Sequence, residues 1–397
     1  MPAVNEKHIR LSIIAPAFAA LAVAGLTILH IAGVGGTAFD IMVFFDSHDM
    51  NVYFASSRWI IEGGHLYREV PSEYPLLANL IFASLRYLSN LVDPGIDAFH
   101  IGWMVSASVV YVYAVYRVAT GTTLLATLAW VAPASIHFAL FRFDVYPAVA
   151  TLVSLFAIRR AAYIEGALWP GVAVALKGYA LFLLPSYCVF LVYQRGVALA
   201  IKAGLLAISP MLLNLLIVLV FAGWEGVLAP FKFRALWTLN GQSTYDAINY
   251  LFGTRLTLQV QAATWVAHSL QIGCAIAAAG MRPRTFEDLI RALLFALLGF
   301  VSFSIFYSPQ FLLWILPLTC FSRSRAMQML TILFAWLTYL YFPISWGLTK
   351  SSHRQPYLLF KAVIVAVSTV RLFMMGLVIK ELRGSRAHRQ EGHSMCA

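Results

Sequence analysis

The feature that most constrains this chain is a succession of apolar runs, several of them long enough to cross a lipid bilayer. A helix needs about 20 apolar residues to cross the hydrocarbon core. Apolar residues make up 61% of the 397 positions and charged residues 11%, whereas a soluble domain carries roughly a quarter charged residues. The candidate runs are 11–34, 74–92, 98–117, 122–140, 145–160, 166–193, 197–222, 257–280, 288–307, 310–321, 326–346 and 357–380. The pattern predicts an all-α, polytopic integral membrane protein with about 10–13 transmembrane helices.

Two of these runs are predicted to be broken. Run 166–193 is too long for one span and is interrupted at Lys177-Gly178, so it should form two short helices. Run 310–321 is short and should continue a neighbouring run as a broken span. No segment is large enough for a separate soluble domain, so residues 1–397 are interpreted as a single transmembrane domain.

The basic residues indicate an orientation. The net charge is +11, and the Lys and Arg side chains are scattered through short segments, which indicates the positive-inside bias and attraction to membrane lipids rather than nucleic-acid binding. This bias places the basic tail, 381–397, in the cytoplasm, and 35–73, 141–144, 223–256, 308–309 and 347–356 on the far side. If run 74–92 crossed fully, Arg117 would fall on the wrong side. Either this segment is a helix that dips into the membrane and returns, which we favour, or the assignment of Arg117 to the cytoplasmic side is wrong.

An acidic cluster follows the first apolar run, at Asp46, His48 and Asp49. Charges are costly at the bilayer centre, so this cluster should lie at the membrane surface. The acids could be solvated loop charges, or Asp49 could favour the dipole of a helix that starts beside it. They could also act as a general base on an acceptor hydroxyl. His48 could join them as a metal ligand, although the spacing matches no recognised metal motif.

Charged residues also interrupt later apolar runs. Arg142 and Asp144 could neutralise each other locally or contact a substrate. Lys177 lies within an apolar stretch, where it must meet an anion such as phosphate or extend its ammonium to the surface.

Further polar positions fall near the same predicted face. Lys232 and Arg234 lie with aromatic residues in 223–256, where they could bind a lipid phosphate or form part of an aromatic belt. Gln310 breaks an apolar run and would need a hydrogen-bond partner if buried. The four cysteines predict neither a disulfide framework nor a metal site.

Taken together, these residues resemble the GT-C glycosyltransferases, above all glycosyltransferase family 87 and the PIG-M-type mannosyltransferases. The runs that carry the resemblance occur in the family's order: Asp49-Met50-Asn51-Val52-Tyr53-Phe54, Gly63-Gly64-His65-Leu66-Tyr67, Tyr74-Pro75-Leu76-Leu77, Arg142-Phe143-Asp144, Lys177-Gly178-Tyr179 through Pro185, and Ser308-Pro309-Gln310-Phe311 through Pro317.

The sequence departs from the family pattern at three points. Leu76 replaces a second proline, Tyr179-Ala180 replaces an aromatic-proline pair, and Asp46 and Asp49 are separated by two residues rather than one. The last departure leaves the choice of base, and any metal dependence, open.

The resemblance implies an inverting enzyme that transfers a hexosyl group from a polyprenyl-phosphate sugar to a lipid or glycan acceptor. Mannosyl is the hexosyl group that the resemblance favours. We expect it in a bacterial inner membrane, with an extracytoplasmic active site in a large first loop and no cofactor. The expected base is Asp49, then Asp46, and the expected phosphate ligands are Lys177, Arg234 and Lys232. The expected substrate contacts are Tyr67, Glu73, Tyr74, Arg142, Asp144, Tyr179 and Gln310.

Two other classes of function fit the same composition. A transporter or flippase of a lipid-linked sugar would also need intramembrane cations, but it should show paired internal repeats, and the sequence shows no convincing repeat. A non-catalytic scaffold would tolerate changes at Asp49 and Lys177 without loss of function.

Overall fold

A computed structural model describes residues 6–31, 47–70, 72–235, 242–253, 260–351 and 356–394. Side chains are described for fewer residues at the ends of these ranges and within α11. The described chain is helical and contains no β-strand, which confirms the all-α prediction. Its α-helices are α1 (Glu6–Ile31), α2 (His48–Ser56), α3 (Arg58–Glu62), α4 (Leu76–Asn90), α5 (Ile96–Gly121), α6 (Leu124–Trp130), α7 (Pro133–Phe141), α8 (Val145–Arg159), α9 (Tyr163–Leu176), α10 (Leu184–Arg195), α11 (Val197–Ala235), α12 (Thr244–Phe252), α13 (Val260–Gly280), α14 (Phe286–Ser302), α15 (Leu312–Thr319), α16 (Arg325–Tyr339), α17 (Trp346–Ser351) and α18 (Pro356–Ser394).

Several of these helices are long and apolar enough to cross a membrane. Among the described residues four pass this test, or five if α6 and α7, which meet at 49°, form one bent span. The four are Ile96–Gly121, Val197–Pro230, Arg325–Leu348 and Leu358–Arg383. Shorter apolar helices accompany them at Ile13–Leu29, Val145–Arg159, Tyr163–Leu176 and Pro309–Thr319. Several long apolar helices of this kind indicate a multi-pass membrane protein. The predicted total of 10–13 spans is larger than this number and stays a prediction.

The outer surface of α11 supports a lipid environment. The span Val197–Pro230 has a mean hydropathy of 2.6, yet only 17% of its apolar window is buried. Leu205, Leu216, Val220 and Phe221 are all more than half exposed. A contiguous apolar face of this kind is rarely left in water, so these side chains fit contact with lipid tails.

The predicted break at Lys177-Gly178 is confirmed, whereas a broken span that includes run 310–321 stays a prediction. Run 166–193 divides into α9 and α10, joined by a 3₁₀ turn at Gly178–Leu183 that begins directly after Lys177. Run 310–321 contains the 3₁₀ turn Pro309–Phe311 and α15, separated from α14 by an irregular stretch.

The prediction of a loop over 223–256 is wrong in part, because α11 continues to Ala235 and α12 follows at Thr244–Phe252. The predicted end of the preceding span, at residue 222, nevertheless coincides with a kink. Gly223 there has φ 66° and ψ −170°, a conformation that is essentially restricted to glycine. Arg68 Nε donates a hydrogen bond to the Ala222 carbonyl at 3.2 Å, which ties the segment before α4 to this kink.

The first predicted extracytoplasmic segment, 35–73, contains short helices where it is described. These are α2 and α3, and α4 follows them. Helix α4 has only 15 residues and buries Asn79, Arg86 and Ser89 on one face. A helix of 15 residues is about 22 Å long, shorter than the hydrocarbon core of roughly 30 Å. Its length therefore favours the alternative in which this segment does not cross the membrane.

Candidate functional site

Helix α2 carries Asp49 and is held in place by buried residues, among them the aromatic Tyr53. Met50 and Tyr53 are fully buried on the inner face of this helix, and the Tyr53 ring stacks on Phe82 with 4.5 Å between ring centroids. Asp49 lies in the first turn, one turn before Tyr53, so the two side chains share a helix face. The Tyr53 hydroxyl donates to Asp49 Oδ2 at 3.4 Å. Packing of Tyr53 therefore fixes where the Asp49 carboxylate lies.

The break between α7 and α8 supplies the cation for Asp49. Arg142 has an extended backbone after α7, and its Nε lies 3.3 Å from Asp49 Oδ2. Arg142 Nη1 also donates to the Phe141 carbonyl at 3.1 Å. The Arg142 side chain is 7% exposed and that of Asp49 is 21% exposed. Solvent thus reaches the Asp49 carboxylate but hardly reaches the Arg142 side chain.

A second ion pair lies two residues further along the same break. Lys177 Nζ donates to Asp144 Oδ2 at 2.8 Å, and the two side chains are 7% and 0% exposed. Trp314 Nε1 donates to the other carboxylate oxygen at 2.6 Å. The extended backbone of Lys177 ends α9, so the interruption of that helix brings the ammonium to Asp144.

Tyr53 joins the two pairs through the backbone between them. The Phe143 amide donates to the Tyr53 hydroxyl at 3.0 Å, and Phe143 lies between Arg142 and Asp144. The result is one connected cluster, Asp49–Arg142 and Asp144–Lys177, in which two carboxylates balance two cations. We call these four residues the paired cluster.

Aromatic rings enclose the lysine end of the paired cluster. Lys177 Nζ lies 5.6 Å from the centroid of Tyr74 and 5.5 Å from that of Trp314. Tyr179 stacks on Trp314 with 4.2 Å between centroids and 7° between ring planes, and its hydroxyl lies 3.0 Å from Thr151 Oγ1. These rings exclude water, which strengthens the ion pair they surround.

Tyr67 lies outside the paired cluster and forms a hydrogen bond to Tyr74. Its hydroxyl donates to the Tyr74 carbonyl at 2.6 Å and accepts from Asn79 Nδ2 at 3.2 Å. Burial raises the pKa of Tyr67 well above its usual value, so the hydroxyl stays protonated and can donate. Tyr67 also has φ 69°, an uncommon conformation for a residue other than glycine, and the Asn79 network holds it there.

The remaining predicted residues are less directly connected. Glu73 is half-buried beside Tyr74, and Gln310 is buried in the 3₁₀ turn one helical turn before Trp314. Lys232 is exposed on α11 beyond the Gly223 kink. The Arg234 side chain and all of Asp46 lie outside the described residues.

The structure bears on two of the alternatives that the sequence left open. Arg142 and Asp144 do not neutralise each other, because each pairs with a residue distant in the chain, Asp49 and Lys177 respectively. The argument that Lys177 needs a ligand phosphate also fails, because Asp144 already supplies its anion. Whether Lys177 also contacts a phosphate stays a prediction.

Sequence reasoning left out three residues that the structure makes prominent. Tyr53 and Trp314 bind the carboxylates of the paired cluster, and Arg371 is a fully buried cation inside the predicted run 357–380. Tyr53 could have been found from its spacing of four residues after Asp49, and Arg371 from the rule that singled out Lys177.

No metal site emerges where side chains are described: no group of three or more His, Cys, Asp or Glu residues there could hold an ion.

Comparisons of the chain with protein-family models, with curated proteins and with solved structures found no match. The interpretation of the site therefore rests on its own geometry and on the resemblance described above.

Proposed function

We propose that this protein is an integral-membrane glycosyltransferase that uses a polyprenyl-phosphate sugar as donor. The observation that carries the proposal is the unequal exposure of two carboxylates in one cluster. Asp144 is sealed between Lys177 and Trp314, while Asp49 is held by Arg142 and remains 21% exposed. A positioned but reachable carboxylate is what general-base catalysis requires.

In the proposed reaction Asp49 accepts the proton of an acceptor hydroxyl. The acceptor oxygen forms a bond to the anomeric carbon from the face opposite the leaving group, and the bond from that carbon to the phosphate oxygen breaks. The electron pair of the broken bond leaves with the polyprenyl phosphate, and the anomeric configuration inverts. Arg142 and Tyr53 orient the Asp49 carboxylate through the contacts at 3.3 and 3.4 Å.

The developing charge on the phosphate needs cations. Lys177 keeps N–H donors beyond the one given to Asp144, and Lys232 and Arg234 lie on α11; these three stay the proposed phosphate ligands. Asp46 stays the alternative base. Tyr67, Glu73, Tyr74, Arg142, Asp144, Tyr179 and Gln310 are proposed to shape the surface that holds sugar and acceptor.

The test is a transfer assay on the purified protein in lipid nanodiscs. A panel of polyprenyl-phosphate sugars and membrane lipids is supplied, and new glycolipid is detected by mass spectrometry. We expect product with the wild type and a large loss with Asp49→Asn. The matched control is Asp97→Asn, since Asp97 is an exposed acid in the first turn of another helix, α5, and should retain activity.

Two outcomes would overturn the proposal. One is the absence of new glycolipid for every donor and acceptor; lipid-linked sugar crossing the bilayer unchanged would then establish the transporter alternative. The other is full activity of Asp49→Asn, which would remove the carboxylate from the reaction.

A further inference from the structure

Arg371 is a charged residue at the centre of an apolar helix. It lies in the span Leu358–Arg383, which has a mean hydropathy of 2.3, and it is 0% exposed. Twelve or more residues separate it from either end of that span, about 18 Å along a helix. Its guanidinium therefore cannot reach the membrane surface easily and must be satisfied inside the protein.

The hydrogen bonds of Arg371 are incomplete. Its Nη2 donates to Ser368 Oγ at 2.8 Å and to Thr244 Oγ1 at 3.4 Å. Its Nε and Nη1 are buried and have no hydrogen-bond partner. A guanidinium carries five N–H donors, so three of them, one on Nε and two on Nη1, are unused.

Among the residues whose side chains are described, no carboxylate balances this charge. In the ranges whose side chains are described, Arg371 forms no ion pair within 4.0 Å. Asp246 follows Thr244 by two residues, and its Oδ2 accepts hydrogen bonds from the Ser243 amide at 2.9 Å and from the Ser243 hydroxyl at 2.6 Å. The Tyr307 ring lies 3.9 Å from Arg371 Cζ. A ring face attracts a cation by about 2 kcal/mol when desolvated, less than the several kcal/mol that burial of an ion costs.

We propose that Arg371, with Thr244, Ser368 and Tyr341, forms a binding site for a phosphoryl group. Tyr341 contributes a buried hydroxyl that also has no hydrogen-bond partner, and its ring lies 6.5 Å from that of Tyr307. The three guanidinium N–H groups and this O–H make four hydrogen-bond donors, enough to bind several oxygens of one anion. A phosphoryl group presents three oxygens and binds arginine strongly.

The depth of the site favours a lipid as the source of the phosphoryl group. Arg371 is enclosed in this structure, so a ligand would displace the Thr244 contact, which at 3.4 Å is the longer of the two. Thr244 begins α12, whose Leu251 and Phe252 are exposed apolar residues. A phosphate carried on a prenyl chain could enter beside this helix while its chain stays in lipid.

A row of aromatic rings connects Arg371 to the paired cluster. The Tyr307 ring is 5.7 Å from Phe311, Phe311 stacks on Trp314 at 4.0 Å, and Trp314 donates to Asp144. The Arg371 site and the paired cluster are therefore connected by packed side chains of the segment 307–314. This choice of a prenyl phosphate as ligand rests on the proposed function, while the anion site itself does not.

The experiment measures binding rather than transfer. Wild-type protein in phosphate-free detergent is titrated with farnesyl phosphate, farnesol and inorganic phosphate, and affinity and melting temperature are recorded. We expect farnesyl phosphate to bind more tightly than farnesol. Arg371→Gln should lower that affinity by roughly tenfold to a hundredfold, the value of hydrogen bonds to a charged group.

Two further variants separate binding from structural support. Arg86→Gln is the matched control, because Arg86 is also buried and lies 4.1 Å from the Phe54 ring, but it pairs with Glu62; its affinity for farnesyl phosphate should be unchanged. Tyr341→Phe removes only an unpaired hydroxyl, so it should fold normally and lower the affinity by about threefold to tenfold.

The outcomes are distinct. If inorganic phosphate binds as well as farnesyl phosphate, and if Arg371→Gln and Tyr341→Phe both weaken its binding, the site is supported with soluble phosphate as its ligand. Equal farnesyl phosphate affinity in wild type, Arg371→Gln and Tyr341→Phe, or no phosphate binding to the wild type, would overturn the inference. Normal binding without glycosyl transfer would instead count against the proposed function alone.

Discussion

The paired cluster and the surroundings of Arg371 solve the same problem in opposite ways. Both place cations inside an apolar helical bundle, where an uncompensated charge is costly. In the paired cluster, Arg142 and Lys177 each meet a carboxylate at 3.3 and 2.8 Å. Among the described residues, Arg371 meets hydroxyls and an aromatic ring but no carboxylate.

This difference separates two uses of a buried charge. A cluster that contains equal numbers of cations and anions needs no ligand to balance its charge, so it can fix side chains in place. A cation that lacks an anion keeps part of its binding capacity for something else. The paired cluster is accordingly suited to positioning a base, and Arg371 to holding an anion.

The comparison is tested most strongly at the one exposed member of the paired cluster. Asp49→Asn keeps the shape of the side chain but removes the proposed base, so turnover in the transfer assay should fall by roughly 10²–10⁴. The melting temperature should fall less than in Asp144→Asn, because Asp49 is partly exposed to solvent whereas Asp144 is fully buried. Should Asp49→Asn unfold the protein while Asp97→Asn does not, Asp49 would be a structural partner of Arg142.

The next largest effect is expected at the sealed end of the same cluster. Asp144→Asn leaves the Lys177 ammonium buried without its carboxylate, and breaking a buried pair in this way costs about 3–5 kcal/mol. Denaturant or thermal unfolding in detergent measures the loss. The control is Glu165→Gln, since Glu165 and Arg160 form an exposed pair that should contribute less than about 1 kcal/mol.

A double variant identifies the cause of that loss. Asp144→Asn combined with Lys177→Met removes both charges, so it should recover a large part of the stability that Asp144→Asn loses. If the double variant were as unstable as the single one, loss of the Trp314 hydrogen bond, rather than an unpaired charge, would explain the effect.

The sequence was enough to find the members of the paired cluster but not their pairing. Asp49, Arg142, Asp144 and Lys177 stand out because each is a charge in an apolar chain. Their partners lie far apart in the sequence: 33 residues separate Asp144 from Lys177, and 170 separate it from Trp314. Helical periodicity gives only neighbours three or four residues apart, so these contacts depend on how the helices pack.

Other features were predictable to different degrees. The break at Lys177-Gly178 was located correctly, and the predicted end of run 197–222 coincides with the kink at Gly223, although the helix continues beyond it. The continuation of α11 beyond the kink was missed because aromatic and basic residues made that stretch resemble a loop. Arg371 was missed because one charge hardly alters the average hydropathy of a long run.

A smaller effect is expected at the hydroxyl that connects the two ion pairs. Tyr53→Phe keeps the ring in its aromatic packing but leaves the buried Phe143 amide without its acceptor. An unsatisfied buried donor costs about 1–3 kcal/mol, which unfolding measurements can detect. Turnover should also fall, because Asp49 loses a donor; a normal rate would show that Arg142 alone positions the base.

The smallest effect on stability is expected at Arg371 in protein without ligand. Arg371→Gln removes the Tyr307 contact and the bond to Ser368, but it also removes a buried charge that has no carboxylate partner among the described side chains. These losses and gains oppose each other, so the free energy of unfolding in phosphate-free detergent should change by about 1 kcal/mol or less. Adding farnesyl phosphate should then stabilise the wild type and leave Arg371→Gln unchanged. If Arg371→Gln without ligand were as unstable as Asp144→Asn, the charge of Arg371 would already be balanced inside the protein, and the two regions would not differ in the way their contacts indicate.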